Sequence, residues 1–516
     1  MTYERYGFNS LRYGNASRFY GVPGSPSTTR LWSIEIDRDN DGAFDGSNEA
    51  IYCIGMDIDR GFLQEFDTNE FGADGMSMPM VGTCTLKFDN STGRYNLWNT
   101  DGSPSTDNLP GRKARIRVRE GYSSTDTEVF YGYVRDISNN PTDNTATIRI
   151  HDGVEILQER VANIALFSDT DFNTAGQTAF IEVLDNIGWT DGYNIIDSGS
   201  ATGFAYFSCN DTAYRVIHDL MQEDTNLVYV DAAGQVVWDY SENNYSATDS
   251  NTFDESILLK PIIVSQPWEN LFTKLNVNVY KFSYSATDTV IWSKETEDDI
   301  AVGANSSINF LIDYRYDDAT IDRFVAFANT LQSSDGDYVV NTSSDGSGSN
   351  ITASCSVSFS ELGSGARLTL TNGSTDSGYF TTLQVKGTVV YWRKTMIEHT
   401  LDNWGETPAR TLTIDTPYNM NYNADSVKYN EFFYLGYPHL SRRVTVKLRN
   451  QPEQFWQDIN SPTYFTIAKP KFTASQTDNM YRIMRIRHKW MSANGQDIET
   501  EWTCRHALVN VSPVST

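Results

Sequence analysis

Cysteine is scarce in this chain: five residues among 516, at positions 53, 84, 209, 355 and 504, an odd number scattered singly. That spacing fits neither a disulfide framework nor a zinc ligand set, and it points to folding in a reducing compartment. Cys84 in "GTCTLKF" and Cys504 in "EWTCRHA" sit in strand-like alternation and are expected as small core residues. Long apolar runs are missing as well. None approaches the roughly 20 residues of a membrane-spanning helix, and the start "MTYERYGFNS" lacks the apolar region of a signal peptide. Positive charge is the third shortage: 40 Lys and Arg stand against 67 Asp and Glu, a formal net charge of −27. So acidic a surface repels phosphate backbones and anionic lipid, so neither specific nucleic-acid binding nor membrane adhesion is expected.

Catalytic signatures are absent too. There is no HExxH, no P-loop, no GxGxxG after a strand and no GxSxG elbow. The six histidines (151, 218, 399, 439, 488 and 506) lack metal-ligand spacing, and nothing selects a carboxylate pair from 67 acidic residues. An enzyme is not expected.

Aromatic residues are abundant, with 29 Tyr, 26 Phe and 11 Trp, and they occur in short alternating segments. This composition favours strands, and 516 residues exceed one hydrophobic core, so the chain reads as mainly β and multidomain. Residues 1–30 look like an extended N-terminal arm. The triplets "RYG" at 5–7 and 12–14 and "FYG" at 19–21 recur every seven residues before a Gly/Pro/Ser stretch. Either the tyrosines dock on a neighbouring subunit or the arm is a disordered leader. Residues 31–160 are strand after strand, a first β domain of barrel or sandwich type.

Residues 161–250 read as a small α+β insert. "TAFIEVLDNIGW" puts Ala179, Phe180, Val183, Leu184 and Ile187 on one helical face. "DTAYRVIHDLMQED" does the same with Tyr214, Ile217, Leu220 and Met221, with Asp211 as N-cap. The segment "NLVYVDAAGQVVWDY" is a hairpin. Residues 251–300 and 399–516 make a second β domain, interrupted at 301–398 by a Ser/Thr/Gly-rich segment expected as a β-sandwich. "NADSVKYNEFFYLG" is a further helix candidate, with Gly436 at its end.

The last hairpin allows a sharper expectation. In "RIMRIRHKWMSANGQDIETEWTC", Met484, Ile486, His488 and Trp490 share one face and Arg485, Arg487 and Lys489 the other. A two-residue Asn494-Gly495 turn would set Lys489 opposite Thr500. A loop of Ala493, Asn494 and Gly495 pairs Lys489 with Glu499, Arg487 with Glu501, Trp490 with Ile498 and Ile486 with Trp502. Opposite charges across strands contribute roughly 0.2–1 kcal/mol per pair, so the three-residue loop is predicted.

One constellation carries site chemistry. "EIDRDNDGAFDGSNE" (35–49) holds Asp37, Asp39 and Asp41 two residues apart, closed by Gly42. Counted as a calcium loop, Ala43 offers a carbonyl, Asp45 sits at the ninth place and Glu49 arrives one place late, after Asn48. The flanks are strands, so this is a DxDxDG loop at a hairpin tip rather than an EF-hand. Structural Ca2+ held by Asp37, Asp39, Asp41, Ala43, Asp45 and Glu49 is one reading; an Asx-rich, solvated turn is the other.

With these segments in place, the chain resembles phage tail proteins related to the hub at the tail tip or baseplate. The resemblance begins at the acidic hairpin and strengthens at "GTCTLKFDNSTGRYNLWN" (82–99), similar to the family's "LDNxDGRY" pattern. It continues through "LPGRKARIRV" (109–118), "EVFYGYVRDI" (128–137), "DAAGQVVW", "DGSGSNITASCSVSFSELGSGARLTLTN" and "HLSRRVTVKL". Asn90-Ser91-Thr92 departs where an Asp is usual before Gly93, and Arg38 and Asn40 depart in the hairpin. The resemblance implies two tube-like β-barrel domains per subunit and a homotrimer joining the hexameric tail tube to the threefold tip around the DNA path. Implied partners are a tail-tube or distal-tail ring protein, the tape-measure protein and tip, spike or fibre proteins, all within a virion. Alternatives are a hexameric distal-tail ring, a glycan-binding module at 301–398 using Tyr379, Phe380, Tyr391 and Trp392, and a cell-wall-degrading enzyme.

Overall fold

The computed structural model describes residues 30–37, 43–44, 48–62, 79–95, 115–121, 127–167, 175–196, 206–224, 226–240, 251–254, 258, 263–265, 274–295, 300–316, 323–362, 365–400, 411–416, 443–455, 457–460, 462–466, 480–493 and 495–506. The arm before Arg30 and the helix candidate at 423–436 lie outside the described residues. Strands dominate, as the aromatic and β-branched composition requires, and they build several separate cores.

The largest sheet has twelve strands. Its path runs Leu31–Asp37, Arg115–Gly121, Thr127–Asn140, Thr145–His151, Thr83–Asp89, Cys53–Gly61, Met480–Trp490, Ile498–His506, Arg443–Arg449 and Ile263–Ser265. Segments that composition assigned to a first and a second β domain therefore share one sheet. They meet where Cys53–Gly61 pairs antiparallel with Met480–Trp490. Period-two alternation turns Ile34, Ile58, Leu86, Ile116 and Ile148 to one face, where they pack with Phe455, Trp490 and Ile498.

The terminal hairpin has the register that charge pairing predicted. Ile486 faces Trp502, Arg487 faces Glu501, Lys489 faces Glu499 and Trp490 faces Ile498. Pairing extends one step further, since the Met491 N–H donates to the Asp497 carbonyl at 2.7 Å. Gly495 is needed at its place: its φ is 62°, and a Cβ there would lie 2.6 Å from the Trp32 and Trp490 rings. His488, on the apolar face, is a buried imidazole bonded to Thr500 Oγ1 at 2.8 Å and stacked on Phe455. Burial and nearby Arg60 and Arg30 hold it well below the usual histidine range.

The α+β insert contains α2 (Ala175–Asn186) and α3 (Ala213–Asp224), and α1 (Gly153–Glu159), which precedes residue 161, packs into the same core. Ala179, Phe180, Val183, Leu184 and Ile187 are buried, as are Tyr214, Ile217, Leu220 and Met221. Both helical faces are the expected ones. The start of α3 differs in detail: Thr212 Oγ1 accepts from the Arg215 N–H, while Asp211 accepts from the Thr212 N–H. The hydroxyl reaches the first turn from one residue closer than the carboxylate can.

The hairpin Asn226–Val230 and Val236–Tyr240 has apolar residues on both faces. Val228, Val230, Val236 and Trp238 pack on the helices, while Leu227, Tyr229 and Val237 pack on Val444, Val446, Ile486 and Trp502 of the large sheet. Its continuous apolar text follows from this double burial. At its turn the Asp231 carboxylate accepts from the Ala233 and Gln235 N–H groups. Gly234, at φ 87°, lies so near Tyr131 that a Cβ would be 2.2 Å from the ring.

A second sheet is organised by one 23-residue strand, Gly378–Thr400. Along one side run Lys274–Tyr284, Thr289–Ser293 and Ala301–Val302; along the other, Arg323–Ala328 and Tyr338–Asn341. Composition set a boundary at residue 301, and the pairing of 274–293 with 384–400 crosses it. A three-stranded sheet, in the order Ser306–Asp313, Gly365–Asn372 and Cys355–Leu362, shares a core with this one through Leu368, Leu370, Phe380 and Val385.

Asp152 caps α1 by accepting from the Val154 N–H, and it is buried beside Gly82. Burial outweighs its backbone hydrogen bonds and pushes its carboxyl from 3.8 up to about 7. A raised folded-state value means that the contribution to stability is complete below pH 3.8 and is lost as pH rises through about 7. The expected outcome is that the melting temperature of Asp152→Asn, relative to wild type, climbs between pH 5 and pH 8, a window set by the same shift. A flat difference across that range in paired thermal melts contradicts it.

Candidate functional site: the acidic hairpin and the charged sheet face

The sheet edge Leu31–Asp37 runs directly into the acidic loop. Asp37 is buried with Arg115 Nη1 at 3.5 Å, and Arg115 also holds Asp191 at 2.9 Å. Phe44 lies under the Arg117 guanidinium at 4.3 Å and against Tyr131, so an aromatic ring pins the loop to the sheet. Arg117 in turn binds Glu35 across the strand pair.

The end of the loop is locked more firmly. Asn48 Oδ1 accepts from the Ile34 and Ala50 N–H groups, and its amide donates to the Trp32 carbonyl at 2.8 Å. One side chain thus covers part of the sheet edge and caps the turn Glu49–Tyr52. Glu49 is 0% exposed. Its carboxylate takes Arg94 Nε at 2.9 Å, Arg94 Nη2 at 2.7 Å and the Tyr95 hydroxyl at 2.6 Å. Arg94 covers the Tyr52 ring at 4.6 Å. Its pairing with Glu49 raises the guanidinium pKa above its ordinary value, while burial and Glu49 raise the Tyr95 phenol.

These contacts bear on three of the six expected calcium ligands. Asp37 faces Arg115, Glu49 faces Arg94 and Tyr95, and Ala43 is exposed. Asp39, Asp41 and Asp45 lie outside the described residues. Among the described residues no three His, Cys, Asp or Glu side chains converge as a metal site. The loop text reads as a string of acids; the pairing of Glu49 with the "GRY" of 93–95 is visible only once residues 45 positions apart are brought together.

The same polar face carries an ordered row of paired positions across nine strands. It runs Lys447, Glu501, Arg487, Asp59, Thr83, His151, Tyr133, Arg115 and Asp37, each opposite the next. Lys447 Nζ reaches both Glu499 and Glu501 at 2.8 Å. Where the N- and C-terminal segments join, Arg487 binds Asp57 at 3.0 and 2.8 Å and Arg485 binds Asp59 at 2.7 Å. Pairs of this kind, open to solvent in part, contribute roughly 0–1 kcal/mol each, so their main effect is to select register.

The aromatics proposed for glycan contact do not form one open platform. Phe380 is buried in the core, Tyr379 is half-buried, Tyr391 stacks on Tyr316 at 5.8 Å, and the Trp392 side chain lies outside the described residues. The five thiols are all free and buried, and burial pushes Cys53 and Cys209 up to about 12. They remain protonated at neutral pH and are poor nucleophiles there. None of the described helices is long and apolar enough to cross a membrane.

Removing one partner of a buried, bidentate pair leaves the other charge desolvated. Glu49→Gln is therefore expected to lower unfolding free energy by about 3 kcal/mol, against under about 1 kcal/mol for the half-buried Asp57→Asn, whose partner Arg487 is exposed. Denaturant titration of both variants checks this; equal losses would contradict it.

No family model matches the chain, and no curated protein sequence matches it. Solved structures of low identity do match. The tail protein from Neisseria meningitidis is 7% identical, with 92% of this chain and 96% of that one covered, at a TM-score of 0.46. The 43 kDa tail protein of prophage MuSo2 from Shewanella oneidensis is 11% identical, with 92% and 98% covered and a TM-score of 0.44. Prophage tail protein gp18 from Listeria monocytogenes is 9% identical, with 92% and 94% covered and a TM-score of 0.40. The chain is thus similar, at TM-scores under 0.5, to three tail proteins, two of them from prophages.

Proposed function

We propose that this chain is a structural protein of a phage tail, the hub at the tail tip or baseplate, acting by assembly rather than by catalysis. The observation that carries this reading is the Glu49–Arg94–Tyr95 lock. It gives a physical reason why the acidic hairpin and the "DNSTGRY" segment occur together, the two motifs at which the resemblance to hub proteins begins and strengthens. The large sheet, built from both ends of the chain and charged along one face, supports a role as a rigid wall element. The net charge of −27 suits a surface past which DNA slides without adhering. In this reading the chain forms a homotrimer, meets a tail-tube or distal-tail ring protein on one side and tip components on the other, and resides in the virion.

Native mass measurement of the purified assembly tests the reading. Three copies are expected; six would favour a distal-tail ring, and a single copy at high concentration would remove both.

The calcium site is a separate proposal, in reduced form. Asp39, Asp41, Asp45 and the Ala43 carbonyl are its ligands, because Glu49 and Asp37 are turned to arginines. Calcium is expected to raise the melting temperature of wild type reversibly by EDTA and to leave Asp39→Asn/Asp41→Asn unchanged. An unchanged wild-type melt removes the site.

A further inference from the structure

The strand Ser306–Asp313 forms one edge of its three-stranded sheet. It pairs with Gly365–Asn372 through all eight residues without a bulge. Natural sheet edges are blunted by Lys, Pro, bulges or a covering element. The text "SSINFLID" has no Lys and no Pro, and its one charge, Asp313, comes last. Asn309 is exposed, Leu311 is 64% exposed, and Phe310 is half-buried against Trp292.

Two other edges are treated differently. On the opposite strand, Cys355–Leu362, Glu361 turns in to accept from the Ala328 N–H at 2.6 Å, and the strand lies against Val161–Phe167. On the large sheet, Asn48 covers the Leu31–Asp37 edge. Among the described residues, Ser306–Asp313 has no such cover.

We propose that this edge accepts an added β-strand supplied by residues 1–29 of a second copy of the chain. Main-chain hydrogen bonds of such an addition give affinity, and alternate side chains give selectivity. An eight-residue edge is about 26 Å long. The seven-residue spacing of "RYG", "RYG" and "FYG" therefore matches one repeat to one edge. An extended segment of 29 residues reaches roughly 95 Å, enough to leave its own subunit.

Its root is fixed. Arg30 exchanges backbone hydrogen bonds with the Gln496 side chain at 3.2 and 2.7 Å, and its guanidinium sits between Glu120 and the Phe455 ring. Charge agrees as well. Residues 1–29 hold Arg5, Arg12 and Arg18 against Glu4, a formal +2 in a chain of −27, while the edge ends at Asp313 and residues 313–318 hold Asp313, Asp317 and Asp318 against Arg315, a formal −2. An arm passed from each copy to the next is a heterologous contact of the kind that closes rings. The inference rests on the homo-oligomeric reading above.

The test uses the full chain with a photo-reactive benzoylphenylalanine in place of Leu311, assembled from a mixture of isotopically light and heavy copies. Cross-links are expected between differently labelled copies, mapping to residues 1–29. Leu311→Lys and Asn309→Lys, both at exposed positions, are expected to keep the wild-type melting temperature and to weaken association roughly tenfold. Cross-links confined within one copy, to another segment, or absent, with wild-type mass still oligomeric, overturn the inference and leave the hub reading standing. A monomeric wild type overturns both.

Discussion

The antiparallel pairing of Cys53–Gly61 with Met480–Trp490 is the constraint on which the architecture depends. It closes a loop of more than 400 residues, so it forms against a large entropic cost and cannot be held by local propensity. Two kinds of interaction hold it. Ile58 and Ile486 are fully buried on the apolar side, and the Asp57–Arg487 and Asp59–Arg485 pairs sit on the polar side. A slip of one residue would bury four charges and expose the isoleucines. Register is thereby set by the cost of the alternative rather than by the strength of any single pair.

Much of this was legible in the sequence where a pattern repeats locally. Alternation in 485–503 gave both the faces and the register, because opposite charges had to align on the polar side; at Ile483 and Met484, both buried, a bulge breaks it. Helical periodicity gave the buried faces of α2 and α3 for the same reason. Membership of sheets was less visible. Residues 274–293 read as part of one domain by composition, yet their backbone groups are satisfied by the strand that composition placed in another. Composition reports what a segment is made of and carries no information on which distant edge it meets.

The acidic hairpin shows the same limit at a site. Six carboxylates in fifteen residues suggest one shared task, but Glu49 and Asp37 are directed inward to Arg94, in the turn after Thr83–Asp89, and to Arg115, on a neighbouring strand. Asn48, which looked like a missing ligand in a calcium loop, is instead a polar cover for a sheet edge. Burial sets Asp37 and Glu49 apart as structural members, and burial is a property of the assembled sheet.

The strand Gly378–Thr400 has a mechanical consequence. At 23 residues it spans about 75 Å, and flanking strands pair with it along both sides of its middle. A pull along its axis loads those hydrogen bonds in shear, where many must break together, whereas a sideways pull at either end unzips them one by one. The element is therefore stiff along its length and weak to peeling, so the direction of an applied force decides whether it transmits the load or opens.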